Sequence, residues 1–181
     1  MSLRRFPALV TAAVLALALT AFAESPVTSV YSSLSGCKLV KKGPNGEDWS
    51  ISACKGYGGY GLSLEYGDAR ESITVITPRG KKYPLNLWQV ISGGFSSVGQ
   101  KAEWRVTRKG GKMVPIALIV RFIASENPED SSKTTSYLAV AKITPTEICV
   151  TDKIAPGPTA NEDARNAADA AAGKQCLEPP Q

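Results

Sequence analysis

The sequence predicts a mainly β protein, an antiparallel sandwich or barrel of about eight or nine short strands with one C-terminal α-helix and two disulfides. Three observations predict it. Apolar residues alternate with period two through the middle of the chain, turn signals separate those runs at hairpin-length spacing, and the four cysteines fall into an early and a late pair. At 181 residues and 43% hydrophobic composition, the chain has the size of one globular domain. Residues 1–23 read as a signal peptide, 24–36 as an N-terminal extension, 37–155 as the β domain, and 156–181 as a linker and a disulfide-tied helix.

Arg4 and Arg5 form a positive start, Ala8 to Leu19 an apolar run, and Ala21-Phe22-Ala23 an A-x-A cleavage pattern. The run is shorter than the ~20 residues a membrane-spanning helix needs, so cleavage before Glu24 and a periplasmic or extracellular mature chain are expected, with no membrane span. Losing two arginines leaves 19 basic against 16 acidic residues, so the formal charge falls from +5 to +3. Such a small excess gives no reason to expect a nucleic-acid partner. The basic clusters, Lys41-Lys42, Arg79 with Lys81-Lys82, and Arg105 to Lys112, lie at expected turns or strand ends, where charge protects sheet edges.

The chain has no histidine. Ser-His and Cys-His nucleophile pairs and histidine-ligated metals are thereby excluded, and no catalytic residue, metal or cofactor is expected.

Four cysteines in an exported chain argue for disulfides, and three pairings are possible. Cys37 and Cys54 flank Gly43-Pro44-Asn45-Gly46, a turn signal between Lys38–Lys42 and Trp49–Ala53. Folding there brings the two sulfurs within one residue of register. Cys149 and Cys176 bracket the helix candidate, whose Thr159-Ala160-Asn161-Glu162 has capping-box form and whose Ala-rich run ends at Gly173. An Ala-rich helix of about a dozen residues is marginal alone, so a Cys149–Cys176 bridge would hold it down.

The other candidate strands are Gly61–Tyr66, Ser72–Thr77, Leu85–Ile91, Ala102–Arg108, Val114–Ile123, Ser136–Ile143 and Glu147–Thr151. Leu85–Ile91 also fits a short helical segment. Ile116 to Ile123 is apolar on both faces and belongs at a sheet centre, which buries Arg121 and demands a carboxylate partner, Glu103 or Asp68.

Gly56-Tyr57-Gly58-Gly59-Tyr60-Gly61 formally matches the dinucleotide fingerprint, but a strand follows it where a helix is required. Its tyrosines suit turn packing or a stacking surface for sugar or peptide. Ser35-Gly36-Cys37-Lys38 and Ser52-Ala53-Cys54-Lys55 fit S-x-x-K without the other parts of a penicillin-recognising site. Glu65, Asp68 and Glu71 are close enough to raise carboxylate-only glycoside chemistry, although Arg70 lies among them. In Glu103-Trp104-Arg105 the two charged residues share a face, lining a site or covering a sheet rim, while Trp104 turns inward.

The layout, with its exported N-terminus, Cys54-Lys55-Gly56-Tyr57-Gly58-Gly59-Tyr60, Gly67-Asp68-Ala69-Arg70, Glu103-Trp104-Arg105, Ala160-Asn161-Glu162-Asp163-Ala164-Arg165 and a final cysteine, is similar to uncharacterised bacterial periplasmic families. The resemblance implies compartment and fold and transfers no activity. The expected function is a non-enzymatic binding domain contacting an envelope protein or glycan through Tyr57, Tyr60, Asp68, Arg70, Glu103 and Arg105. The alternatives are a carboxylate-only hydrolase and an enzyme inhibitor acting through the Gly56–Gly61 loop.

Overall fold

The computed structural model describes residues 26–127 and 129–179, so the expected signal peptide lies outside the described residues. Two five-stranded antiparallel sheets face each other as a sandwich. Their strands are β1 (Thr28–Ser33), β2 (Lys38–Lys42), β3 (Trp49–Lys55), β4 (Gly61–Gly67), β5 (Arg70–Ile76), β6 (Lys82–Pro84), β7 (Phe95–Lys109), β8 (Lys112–Ser125), β9 (Thr134–Ile143) and β10 (Ile148–Ile154). One sheet is a meander, β2-β3-β4-β5-β6. The other has the order β1-β7-β8-β9-β10, so the chain starts in one sheet, builds the second, and returns to pair β7 against β1.

Between the sheets lie the alternate residues that the period-two pattern selects. Leu62, Ile73 and Val75 come from the meander; Trp104, Leu118, Val120 and Phe122 come from the other sheet. β8 is central, as its doubly apolar sequence requires: Leu118, Val120 and Phe122 face the inter-sheet core, while Ala117 and Ile119 join Leu138 and Val140 on the opposite face. That second face is covered by α2 (Ala160–Asp169), which buries only Ala164 and Ala168.

Several expectations are corrected. Leu85–Ile91 is not a strand but contains the short helix α1 (Leu87–Val90), because Leu87 and Ile91, four residues apart, both reach the core. Thr28–Ser33, read as part of an extension, is an edge strand. Arg121 is exposed rather than buried and donates to Ser136 Oγ at 2.7 Å, because it lies beyond the patch that α2 covers and neither Glu103 nor Asp68 is its partner. The capping box does not form: Thr159 makes no side-chain cap to the backbone and instead donates its hydroxyl to Asp163 at 2.9 Å.

Both disulfides pair as expected. Cys37 faces Cys54 across the β2–β3 hairpin, with Lys38 opposite Ala53, and the Cα atoms are 4.7 Å apart. Cys149 on β10 joins Cys176 beyond α2, with a Cα separation of 5.7 Å.

Candidate functional site

The six residues proposed from the sequence occupy three places. Tyr57 and Tyr60 precede β4, whereas Asp68 and Arg70 follow it, which separates them by ~20 Å of strand. Both tyrosines are half-buried against the core. The Tyr60 ring tilts onto Trp104 at 6.0 Å, and burial pushes its phenol above the ordinary value. The glycine loop is therefore laid on the sandwich, with Gly58 against Pro115 and Gly59 against Pro78. A strand on either side and no helix removes the context for a phosphate cradle.

Glu103 and Arg105 project from β7 toward α2, on the face opposite Trp104. Arg105 donates through Nε and Nη2 to both carboxylate oxygens of Asp169, each at 2.7 Å. Arg165 donates Nε to Glu103 at 2.6 Å, and the Ser29 hydroxyl donates to the same carboxylate while accepting from Arg105. The match has a geometric basis. Four helix residues rise ~6 Å and two strand residues ~6.6 Å, so Arg165 and Asp169 meet Glu103 and Arg105 in register when α2 runs along β7. These charges clasp a helix that has little apolar surface of its own.

Burial alone would raise the Glu103 carboxyl, but the bonds from Arg165 and Ser29 outweigh it and hold the group below its ordinary value. A lowered carboxyl contributes stability above its unfolded value, about 4.3, which is lost as pH falls through the folded value. Thermal unfolding should therefore lose less stability between pH 7 and pH 3 in Glu103→Gln than in the wild type, over the parallel losses from Glu126 and Asp130, which are also lowered. Equal pH slopes in the two proteins would contradict this role.

Asp68 and Arg70 stand at a genuine surface feature. Asp68 and Ala69 both adopt left-handed φ in the two-residue turn between β4 and β5, and the turn carries Arg70 onto the sandwich rim. There Arg70 donates Nε to the Gly93 carbonyl at 2.9 Å and Nη1 to the Asp68 carboxylate, and its guanidinium lies 5.6 Å from the Phe95 ring centroid. Its Nη2 has no partner among the described residues. Arg70 is thus a fixed wall shared by two grooves of about 520 and 570 Å³. The first is lined by Glu65, Tyr66, Asp68, Ser72 and Trp88; the second by Ser92, Phe95, Ser125, Glu126 and Asn127. Gly94 lines the second groove and packs so closely on Ser125 that an added Cβ would stand 2.0 Å from its carbonyl oxygen.

The functional candidates that sequence reasoning missed are Trp88 and Phe95, 41% and 53% exposed, one in each groove. A helical reading of Leu87–Ile91 carries the signal for the first: with Leu87 and Ile91 inward, Trp88 points away from the core.

Three of the acids here are already engaged. Glu71 accepts from the Val98 amide at 2.6 Å, Asp68 is engaged by Arg70, and the Tyr137 hydroxyl holds Glu126 below its ordinary value. A general acid needs the opposite shift. The acidic and sulfur cluster of Glu147, Cys149 and Cys176 contains a disulfide, whose sulfurs are not thiolate ligands. No protein-family model, curated protein or solved structure matches the chain.

Proposed function

We propose that this chain is an exported, non-enzymatic binding domain of the cell envelope, and that a glycan lies along the two grooves that meet at Arg70. The carrying observation is the pair of exposed aromatic rings, Trp88 and Phe95, with a fixed guanidinium between the grooves. Aromatic faces stack on sugar rings, while Arg70 Nη2, Asn127, Ser92 and Ser125 supply the directional polar contacts a polyhydroxylated ligand needs. The two disulfides support export to an oxidising compartment. The engaged state of Asp68 and Glu126 favours binding over hydrolysis, and the anchored Gly56–Gly61 loop offers little to an inhibitor reading.

Co-sedimentation with purified envelope glycan, peptidoglycan sacculi first, tests the proposal. The wild type should be retained, and Trp88→Ala with Phe95→Ala should lose at least tenfold in affinity while keeping its unfolding temperature, because both rings are on the surface. Equal retention of the variant would overturn the assignment of the site. Absence of retention, with stoichiometric recovery of a protein partner from envelope extract, would replace the glycan by that partner.

A further inference from the structure

A further concave region lies on the α2-covered face of the β1-β7-β8-β9-β10 sheet, between the start of α2 and the β1 edge. It has a volume of about 280 Å³, and its charged lining consists of Lys101, Arg121, Arg165 and Glu103. Glu103 is already covered by Arg165 and Ser29, and Arg165 also donates to the Tyr31 hydroxyl at 3.1 Å. The nearby acids of α2, Glu162 and Asp163, do not line the cleft, and Asp163 is occupied by Thr159. Three cations against one acid leave two positive charges. They reside on Lys101, whose ammonium has no hydrogen bond or ion pair among the described residues, and on Arg121, whose guanidinium donates to Ser136.

The backbone is arranged to present these two side chains. The β7–β8 pairing slips between Val98 and Ala102, so that Gly99, Gln100 and Lys101 bulge opposite Arg121. Gly99 lets the arginine stem lie flat, since a Cβ there would stand 2.8 Å from Arg121 Cβ. A neighbouring hollow of about 230 Å³ shares Tyr31 and Lys101 and continues past Ser33, Ser35 and Gln100. Apart from Lys101 its lining is uncharged and rich in hydrogen-bonding groups.

We propose that this cleft binds the phosphate monoester of a polyol, its phosphate between Lys101 and Arg121 and its hydroxyls along Ser33, Ser35 and Gln100. A phosphate monoester carries a charge of about −1.5 to −2 at pH 7, which matches the two uncompensated cations, whereas a carboxylate would leave one unmatched. Arginine and lysine together provide a planar fork and a point charge for the same group. The site is separate from the Arg70 grooves and does not depend on the glycan reading.

The test is calorimetric titration of the full mature chain at low ionic strength with inorganic phosphate, sn-glycerol 3-phosphate and glycerol. Phosphatidylcholine vesicles with and without phosphatidic acid form a further arm. Saturable binding of glycerol 3-phosphate, tighter than inorganic phosphate and absent for glycerol, is expected. It should weaken at least tenfold in Lys101→Gln with Arg121→Gln, and should be unchanged in Arg108→Gln, an exposed cation at the β7–β8 turn. Both cleft side chains are exposed, so circular dichroism of the variant should match the wild type. Binding only to phosphatidic acid vesicles, abolished by the same pair of substitutions, would assign the phosphate to a lipid headgroup. Absence of saturable binding to both free ester and vesicles, or equal affinity in the Lys101 and Arg121 variant, would overturn the proposal.

Discussion

Trp104→Ala is expected to cost about 3–5 kcal/mol of folding stability, the largest effect of any single substitution considered. Trp104 is fully buried, lies between Val30 on β1 and Leu118 on β8, and receives the Tyr60 ring from the glycine loop. Its indole N–H donates to Ser32 Oγ at 2.9 Å. Truncation would therefore open a cavity between the sheets, loosen the only edge that β1 offers, and leave the Ser32 hydroxyl without its donor. Domains of this size are stable by about 5–15 kcal/mol, so the loss is a large fraction of the total. Urea unfolding should show a lower midpoint, and Trp104→Phe should fall between the two because it retains most of the volume. A loss below about 1 kcal/mol would mean that Trp104 does not join the sheets.

Removing the late disulfide by Cys149→Ser with Cys176→Ser is expected to cost about 3.5 kcal/mol in the chain-entropy picture, for a sequence separation of 27. The effect should be concentrated in the helix. α2 buries two alanines, so its docking rests on the Glu103–Arg165 and Arg105–Asp169 pairs, on Lys142 donating to the Lys174 carbonyl at 2.7 Å, and on the covalent tie. Without that tie, amide exchange across residues 160–173 should accelerate far more than across β7 and β8. Helix amides that keep wild-type protection would show that the charge clasp alone suffices. The early bridge closes a hairpin already paired by backbone bonds, so its loss should be felt locally in β2 and β3.

Much of the fold was legible because burial on one face writes a period of two into each strand. Ile116–Ile123 announced a central strand, Trp104 an inward one, and Gly43-Pro44-Asn45-Gly46 placed Cys37 beside Cys54. β1 was missed because Thr28-Ser29-Val30-Tyr31-Ser32-Ser33 offers one aliphatic side chain to the core and pairs with β7 by a backbone ladder supplemented by serine hydroxyls, which leave no hydrophobic period. Arg121 misled because sequence shows that a residue shares a strand with buried neighbours, but not how far a helix on the outer face extends over it.

The site was legible only in part. Asp68 and Arg70 were chosen for their charge at a turn, and that turn does place Arg70 between two grooves. Glu103 and Arg105 were correctly seen to share a face, but their partners Arg165 and Asp169 lie over 60 residues away, a separation that local pattern cannot bridge. Trp88 was hidden for a different reason: an isolated aromatic in an apolar stretch looks like core until the helix phase of Leu87 and Ile91 is known, while Phe95 sits among glycines and serines at the start of β7, where no apolar period marks its face.

The three tryptophans allow the central claim to be examined residue by residue, since Trp104 is fully buried, Trp49 lies on the β2–β3 hairpin, and Trp88 lines a groove. Titrating soluble peptidoglycan fragments into nitrogen-15-labelled protein and following the three indole N–H resonances is the most direct measurement. Movement of the Trp88 indole together with the amides around Arg70 and Phe95, at a fixed Trp104 position, is the predicted result. Saturating shifts confined to the Tyr57–Tyr60 loop or to the α2 face, with Trp88 unmoved, would contradict it.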